Sequence, residues 1–246
     1  MKMNMSIPSV SVTYESTGKS KKSNELGMRE MQERVYEKRG EQYLIIKSPP
    51  ASGKSRALMF LALDKTTNQN IQQAIIIVPE QTIGKSFDST KLSDYGFWVD
   101  WEVKPKWNLC NSPVKEGGKV QSVKAFLESE DKNLVCTHAT FRFAVEKFGI
   151  EVFDNRLIAV DEFHHVSSNP DNILGNQLSE LIERDKTHIV AMTGSYFRGD
   201  ADAVLCPDDE SKFETVTYTY YEQLNGYEYL KELFIAYYFY NGPYVD

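Results

Sequence analysis

Residues 43–65 read YLIIK, SPPASGKS, RALMFLALDK: a short apolar run, a turn bearing a glycine, and a stretch of helix formers. A five-residue run from Tyr43 to Lys47 is too short for a helix and suits a strand buried on both faces. The turn from Ser48 to Ser55 then opens a helix. Amides at such a turn and at a helix N-terminus point together, and they bind phosphate oxygens. Gly53 lets the backbone turn without a Cβ. Lys54 would reach the β- and γ-phosphates, and the Ser55 hydroxyl would ligate Mg²⁺. Pro50, Ala51, Ser52 and Arg56 complete the candidate phosphate site. The strict pattern G-x-x-x-x-G-K-[ST] is not met: Ser48 holds its first glycine position, and Ala51 stands where a second loop glycine is common.

Outward from this turn, strands and helices alternate. Ala74–Val78 (AIIIV), Asn133–Thr137 (NLVCT), Leu157–Val160 (LIAV) and Ile189–Met192 (IVAM) are further apolar runs. Between them lie the helical stretch ATFRFAVEKF and an amphipathic set of Ile173, Leu174, Leu178, Leu181 and Ile182. Met28, Met31 and Val35 mark a helix before the first of these strands. Near-continuous apolar strands separated by helices predict a parallel sheet covered on both faces, with ligands beyond the carboxyl ends of its strands. The candidate chemistry falls at such ends. LIAV delivers Asp161 and Glu162, as a Mg²⁺–ATP site needs opposite a phosphate loop: Asp161 to hold the metal, Glu162 to orient and deprotonate the attacking water. IVAM delivers Thr193, Gly194 and Ser195, whose hydroxyls can bond the acidic loop and report the nucleotide state.

Composition bounds the reading loosely. The 246 residues suffice for a large core, and 28 basic against 35 acidic residues give a formal charge of −7. That balance argues against a surface that binds nucleic acid everywhere, though not against a narrow track. Cys110, Cys136 and Cys206 match no metal or disulfide spacing and read as reduced thiols, which predicts a cytoplasmic protein. His164 and His165 lack partners at metal-ligand spacing, and no apolar run approaches the length of a membrane span.

Together these segments resemble the superfamily-two helicases, in the broad DEAD/DEAH group that includes helicase subunits of restriction enzymes. SPPASGKS looks like the family's nucleotide loop. Asp161-Glu162-Phe163-His164 looks like a DEFH variant of its acidic motif, which adds His164 to the catalytic candidates. Thr193-Gly194-Ser195, followed by Phe197-Arg198, looks like its third motif, so Thr193 and Ser195 become candidates for coupling. Gly27-Met28-Arg29-Glu30-Met31-Gln32 resembles the adenine-reading segment, which implies that Gln32 bonds the adenine edge. VPEQTIGKSF from Val78 and THATFRFA from Thr137 resemble segments that touch nucleic-acid backbone, implying Gln81, Thr82, Lys85, Thr137 and Arg142. Thr82 and Thr137 also suit simple helix N-caps.

The resemblance implies an α/β, RecA-like P-loop NTPase fold over residues 25–205, binding ATP and Mg²⁺ and acting on nucleic acid, DNA favoured over RNA. Residues 1–24 are expected to be a polar arm, and 206–246 a tail or the start of a linker. The family works with two RecA-like domains, and no second one fits in this length. It is expected in cis in a longer chain or from a partner, and the chain alone is expected to hydrolyse ATP weakly. Two other readings stay open: a different P-loop motor such as a DNA-packaging type, and a non-catalytic ATP-binding module. Finally, residues 94–119 hold Trp98, Trp101 and Trp107. They suggest a strand near GFWVDW with Trp98 and Trp101 in its core and Trp107 covering the long loop that follows, as aromatic residues usually serve packing; the alternative is that Trp107, beside Lys106, is an exposed ring that stacks on a base.

Overall fold

The computed structural model describes residues 9–13, 22–113, 115–163, 172–194, 206–226 and 232–236. The chain divides into two compact units. One pairs strand β1 (Ser9–Thr13), within the expected polar arm, antiparallel with β8 (Glu232–Ala236). The other, from Lys22 to Tyr220, carries the candidate chemistry.

In this second unit α1 (Glu30–Glu37) leads to β2 (Tyr43–Lys47), α2 (Lys54–Asn68) and β3 (Ala74–Val78). After a long connection come α3 (Glu116–Leu127), β4 (Asn133–Thr137), α4 (His138–Phe148) and β5 (Leu157–Val160). The remainder is α5 (Ile173–Arg184), β6 (His188–Thr193), a short α6 (Pro207–Glu210) and β7 (Glu214–Thr217). The sheet has the order β4-β3-β5-β6-β2-β7 and is parallel throughout. Strands β3, β4 and β5 are buried along their whole length, which explains why they read as unbroken apolar runs. Helix α2 is sunk into the same core by Leu58, Phe60, Leu61 and Ala62.

The strand order positions the chemistry. From β2 the chain crosses past two positions to β3, and β5 and β6 fill the gap later. The carboxyl ends of β2, β6 and β5 therefore lie side by side at a topological switch point, where open α/β sheets bind ligands.

The structure corrects several expectations. GFWVDW is not a strand: a 3₁₀ turn spans Ser93–Tyr95, and Trp101 makes one isolated bridge to Thr90. The expected long loop ends at α3, which starts with the Gly117-Gly118 pair inside its first turn. Trp107 is 6% exposed, donates from Nε1 to Asp131 Oδ2 at 2.6 Å and meets Phe126 edge-on, so its indole packs as the packing reading expects, and the alternative of an open base platform falls. Trp101 is fully buried, and it is Trp98 that is 44% exposed. At the far edge β7 draws a sixth strand from beyond residue 205, where the nucleotide-binding domain was expected to stop.

Candidate nucleotide-binding cleft

The turn after β2 is held from both sides. Ser48 N donates to Thr193 O at the end of β6, and the Ser48 and Ser52 hydroxyls bond each other at 2.9 Å. Ala51 and Gly53 both take positive φ, 62° and 96°. At Gly53 a Cβ would lie 2.5 Å from Gln32 Nε2, so the position requires glycine both for its backbone and for that close approach. Helix α2 starts without a side-chain cap, and its first bond runs from Ala57 N to Gly53 O. The amides of Lys54, Ser55 and Arg56, in the first turn of the helix, face the side on which a helix N-terminus binds anions.

Gln32 is 2% exposed and reaches the turn from α1. Its Oε1 accepts from Arg29 N at 2.9 Å and its Nε2 donates to Gly53 O at 3.1 Å. An amide side chain keeps a second donor and a second acceptor site, so both ends can take one more bond. Arg29 stands one helical turn away and donates to Ala51 O at 3.3 Å.

Lys54 is buried, with Nζ donating to Ser48 O at 3.1 Å and Pro49 O at 3.2 Å. Burial lowers its pKa, against the opposing pull of Glu162 and Asp161. Asp161, 4% exposed, continues β5 through a bond from its N–H to Ile77 O. Burial, and then the neighbouring Glu162 charge, push its carboxyl up to about 6; the Glu162 amide and Lys54 act the other way. A cation placed beside a buried carboxylate of this kind would favour its charged form. His138 Nε2 bonds the Asp161 carbonyl at 3.0 Å. Glu162 takes φ 50°, a left-handed conformation that costs a non-glycine residue about 1–3 kcal/mol and that clusters at functional sites.

Gly194 closes the set. A Cβ there would lie 3.1 Å from Lys54 Nζ and 3.6 and 3.7 Å from the Glu162 carboxylate oxygens. The end of β6 thus sits between the phosphate loop and the acidic strand end, as the strand order requires. The cleft, about 530 Å³, is lined by Arg29, Gln32, Pro50, Ala51, Gly53, Lys54, Ser55, Arg56, Asp161 and Glu162. Met59, Ile83, Ser86 and Thr90 supply the rest of its wall. A donor set of amides, one lysine, one hydroxyl and two carboxylates suits a polyphosphate carrying Mg²⁺. Among the described residues no group of three His, Cys, Asp or Glu side chains is placed to hold a metal by itself. His164 and Ser195 lie outside the described residues.

The residues expected to meet nucleic acid are elsewhere. Gln81, Thr82 and Lys85 are exposed on the 3₁₀ turn Gln81–Phe87. Thr137 is buried and caps α4, its Oγ1 accepting from Thr140 N at 3.1 Å. Arg142 is partly exposed, with its guanidinium 4.5 Å above the Phe143 ring and 3.8 Å from Glu146. Sequence reasoning assigned no role to Arg29, although its i, i+3 spacing from Gln32 puts both on one helical face. It also missed Met59, Ile83, Ser86 and Thr90, which carry no motif and reach the cleft only through tertiary folding.

Comparisons with known proteins agree with this geometry. The family profile described as DEAD/DEAH box helicase matches residues 29–202. YeeB of Bacillus subtilis (strain 168), whose name makes it a candidate ATP-dependent helicase, is 55% identical over 237 residues, or 96% of this chain and 39% of that protein. The chain thus spans well under half the length of that relative. The crystal structure of the Pyrococcus furiosus Hef helicase domain is similar at a TM-score of 0.51 and 15% identity, over 77% of this chain and 38% of that one. The UvsW helicase from Bacteriophage T4 is similar at 0.50 and 18%, over 77% and 60%. At such identities the two structures show the fold alone, a RecA-like helicase domain. The profile match, over more than half the chain, and the near relative carry the assignment: this chain belongs to the DEAD/DEAH box helicase family.

Proposed function

We propose that the chain is the ATP-binding motor domain of a helicase or translocase acting on nucleic acid, with DNA favoured over RNA. One observation carries the reading: the phosphate loop, the acidic end of β5 and Gly194 of β6 meet in one cleft at the switch point of the sheet. The preference for DNA rests on the likeness of MTGSYFR to the helicase subunits of restriction enzymes.

In this reading the loop amides and Lys54 would bind the phosphates, and Ser55 and Asp161 would hold Mg²⁺, whose charge would offset that of the phosphates. Lys54 gives up its bonds to the Ser48 and Pro49 carbonyls when it meets a phosphate oxygen. A cation beside Asp161 would offset the desolvation that raises its pKa and so favour the ionised form. Glu162, held beside it by its strained backbone, takes a proton from the attacking water. Gln32 uses its spare amide capacity on the edge of the base. The segment Gln81–Thr90 has two sides, with Gln81, Thr82 and Lys85 open to solvent and Ile83, Ser86 and Thr90 in the cleft wall. That arrangement favours a link between nucleic-acid contact and nucleotide state. Thr193 and Ser195 would report the same state from β6. Stabilisation of the transferring phosphate by arginines of a second RecA-like domain can be worth roughly 10³ in rate or more.

Calorimetric titration of MgADP into the wild type and Lys54→Ala tests the nucleotide half of this reading. The expected result is an affinity at least tenfold lower in the variant; equal affinities overturn it.

A further inference from the structure

We propose that Arg56 and Tyr95 form the base shelf of the cleft, with the Arg56 guanidinium sandwiched between the Tyr95 ring and the purine of the bound nucleotide. The inference rests on the cleft taking a nucleotide and adds what selects its base.

Arg56 follows Ser55 in the first turn of α2 and lines the cleft beside Arg29 and Gln32. Its guanidinium carbon lies 4.8 Å from the centroid of the Tyr95 ring. A guanidinium is planar with two stacking faces, and it stacks on aromatic rings while keeping its edge donors. Tyr95 occupies one face. The side chain that carries the other is part of the wall of the same cleft that Gln32 lines.

Tyr95 belongs to no recognised motif and is 40% exposed, but its backbone is held on several sides. Its carbonyl accepts from Lys22 Nζ at 2.7 Å, and its N–H donates to Leu92 O at 3.0 Å. Two glycines with positive φ, Gly27 and Gly96, bring the segments 25–27 and 95–96 into direct backbone contact: a Cβ on Gly27 would collide with the Tyr95 carbonyl, and one on Gly96 with the Glu25 carbonyl. The segment that leads into Arg29 and Gln32 is therefore locked to the turn that carries Tyr95. Edge recognition by Gln32 and stacking on Arg56 would be set by one packed unit. A stacked guanidinium favours the larger ring system, so the site should prefer purine to pyrimidine nucleotides.

Calorimetry with MgADP and MgCDP on the wild type, Arg56→Ala, Arg56→Lys, Tyr95→Ala and Tyr95→Phe tests this. Removing the stack, by Arg56→Ala, Arg56→Lys or Tyr95→Ala, should weaken MgADP by about five- to tenfold and leave MgCDP within about twofold, since a cation–π contact of this kind has that order of worth. Tyr95→Phe, which keeps the ring, should restore what Tyr95→Ala loses. An Arg56→Lys protein that binds like wild type, or an equal loss for both nucleotides, would mean that Arg56 acts through charge on the phosphates and would overturn the shelf alone. A wild-type protein that fails to bind MgADP would bring down the nucleotide reading and the shelf together.

Discussion

Replacing Gly27 by alanine should be among the costlier single-atom changes in this protein. Gly27 has φ 74°, and a Cβ there would lie 2.8 Å from the Tyr95 carbonyl carbon and closer still to its oxygen. A left-handed backbone costs a residue with a Cβ about 1–2 kcal/mol. The obstacle is main chain, held in place by Lys22 Nζ, so it cannot rotate away as a side-chain tip would. Overpacking of that kind adds about 1–3 kcal/mol. Together they amount to about 3 kcal/mol, or roughly 6–12 °C in Tm for a domain of this size. Gly117→Ala is the matched control: nothing lies within 4 Å of its Cβ position, and it sits in α3. Helix propensity alone should stabilise that variant by up to about 1 kcal/mol. Thermal melts of the two variants beside wild type provide the comparison. MgADP affinity should also fall in Gly27→Ala, because Arg29 and Gln32 follow directly in the displaced segment. A Gly27→Ala protein that melts with the wild type would refute the close backbone approach on which this reasoning stands.

Trp107→Ala should lose about 3–5 kcal/mol, as buried indoles do, measured by urea unfolding, and should not weaken single-strand binding except through that instability. His188 should make the fold acid-sensitive. Burial, and then the Lys65 charge beside it, push its pKa down to about 4 from an ordinary 6.5, and Lys65 Nζ donates to its Nδ1 at 3.0 Å. Between pH 6.5 and 4 the unfolded chain therefore takes up a proton that the folded one refuses, and stability falls as pH falls, by up to about 3 kcal/mol. Urea midpoints from pH 7 to 4 should show that loss, and His188→Gln should reduce it. ATP turnover by the chain alone should be near background with or without single-stranded DNA, and a RecA-like domain supplied in trans should raise it. A robust DNA-stimulated rate in the isolated chain would show that the opposing arginines are not needed.

Much of the sheet was legible because its strands are buried on both faces. Tyr43–Lys47, Ala74–Val78, Asn133–Thr137 and Leu157–Val160 begin and end where the apolar runs do, and β6 exceeds its run by one residue at each end. The residues of the phosphate loop and of the acidic strand end were legible because phosphate and metal chemistry restrict them to few types at fixed spacing. Helix α3 was not: a glycine pair at its start reads as a break, yet Val120, Val123 and Phe126 bury a face that tertiary packing sustains. The packing reading is right for Trp101 and Trp107, which are buried, and not for the exposed Trp98. Lys106 beside Trp107 suggested an open ring, but Asp131 binds the indole and both nearby lysines, and Phe126 covers the ring. The strand order, which sets β6 between β2 and β5, follows from long-range pairing that no local pattern encodes.

In the proposed function ATP and Mg²⁺ lie between the turn after β2 and the acidic end of β5. A crystal structure of the complex with MgADP tests it most directly. Phosphates should lie on the amides of residues 53–56 with Lys54 Nζ turned from the Ser48 and Pro49 carbonyls onto a phosphate oxygen, Mg²⁺ next to Ser55 Oγ and Asp161, and the base beside Gln32. Phosphates bound away from that turn, or a metal distant from Asp161, would contradict it.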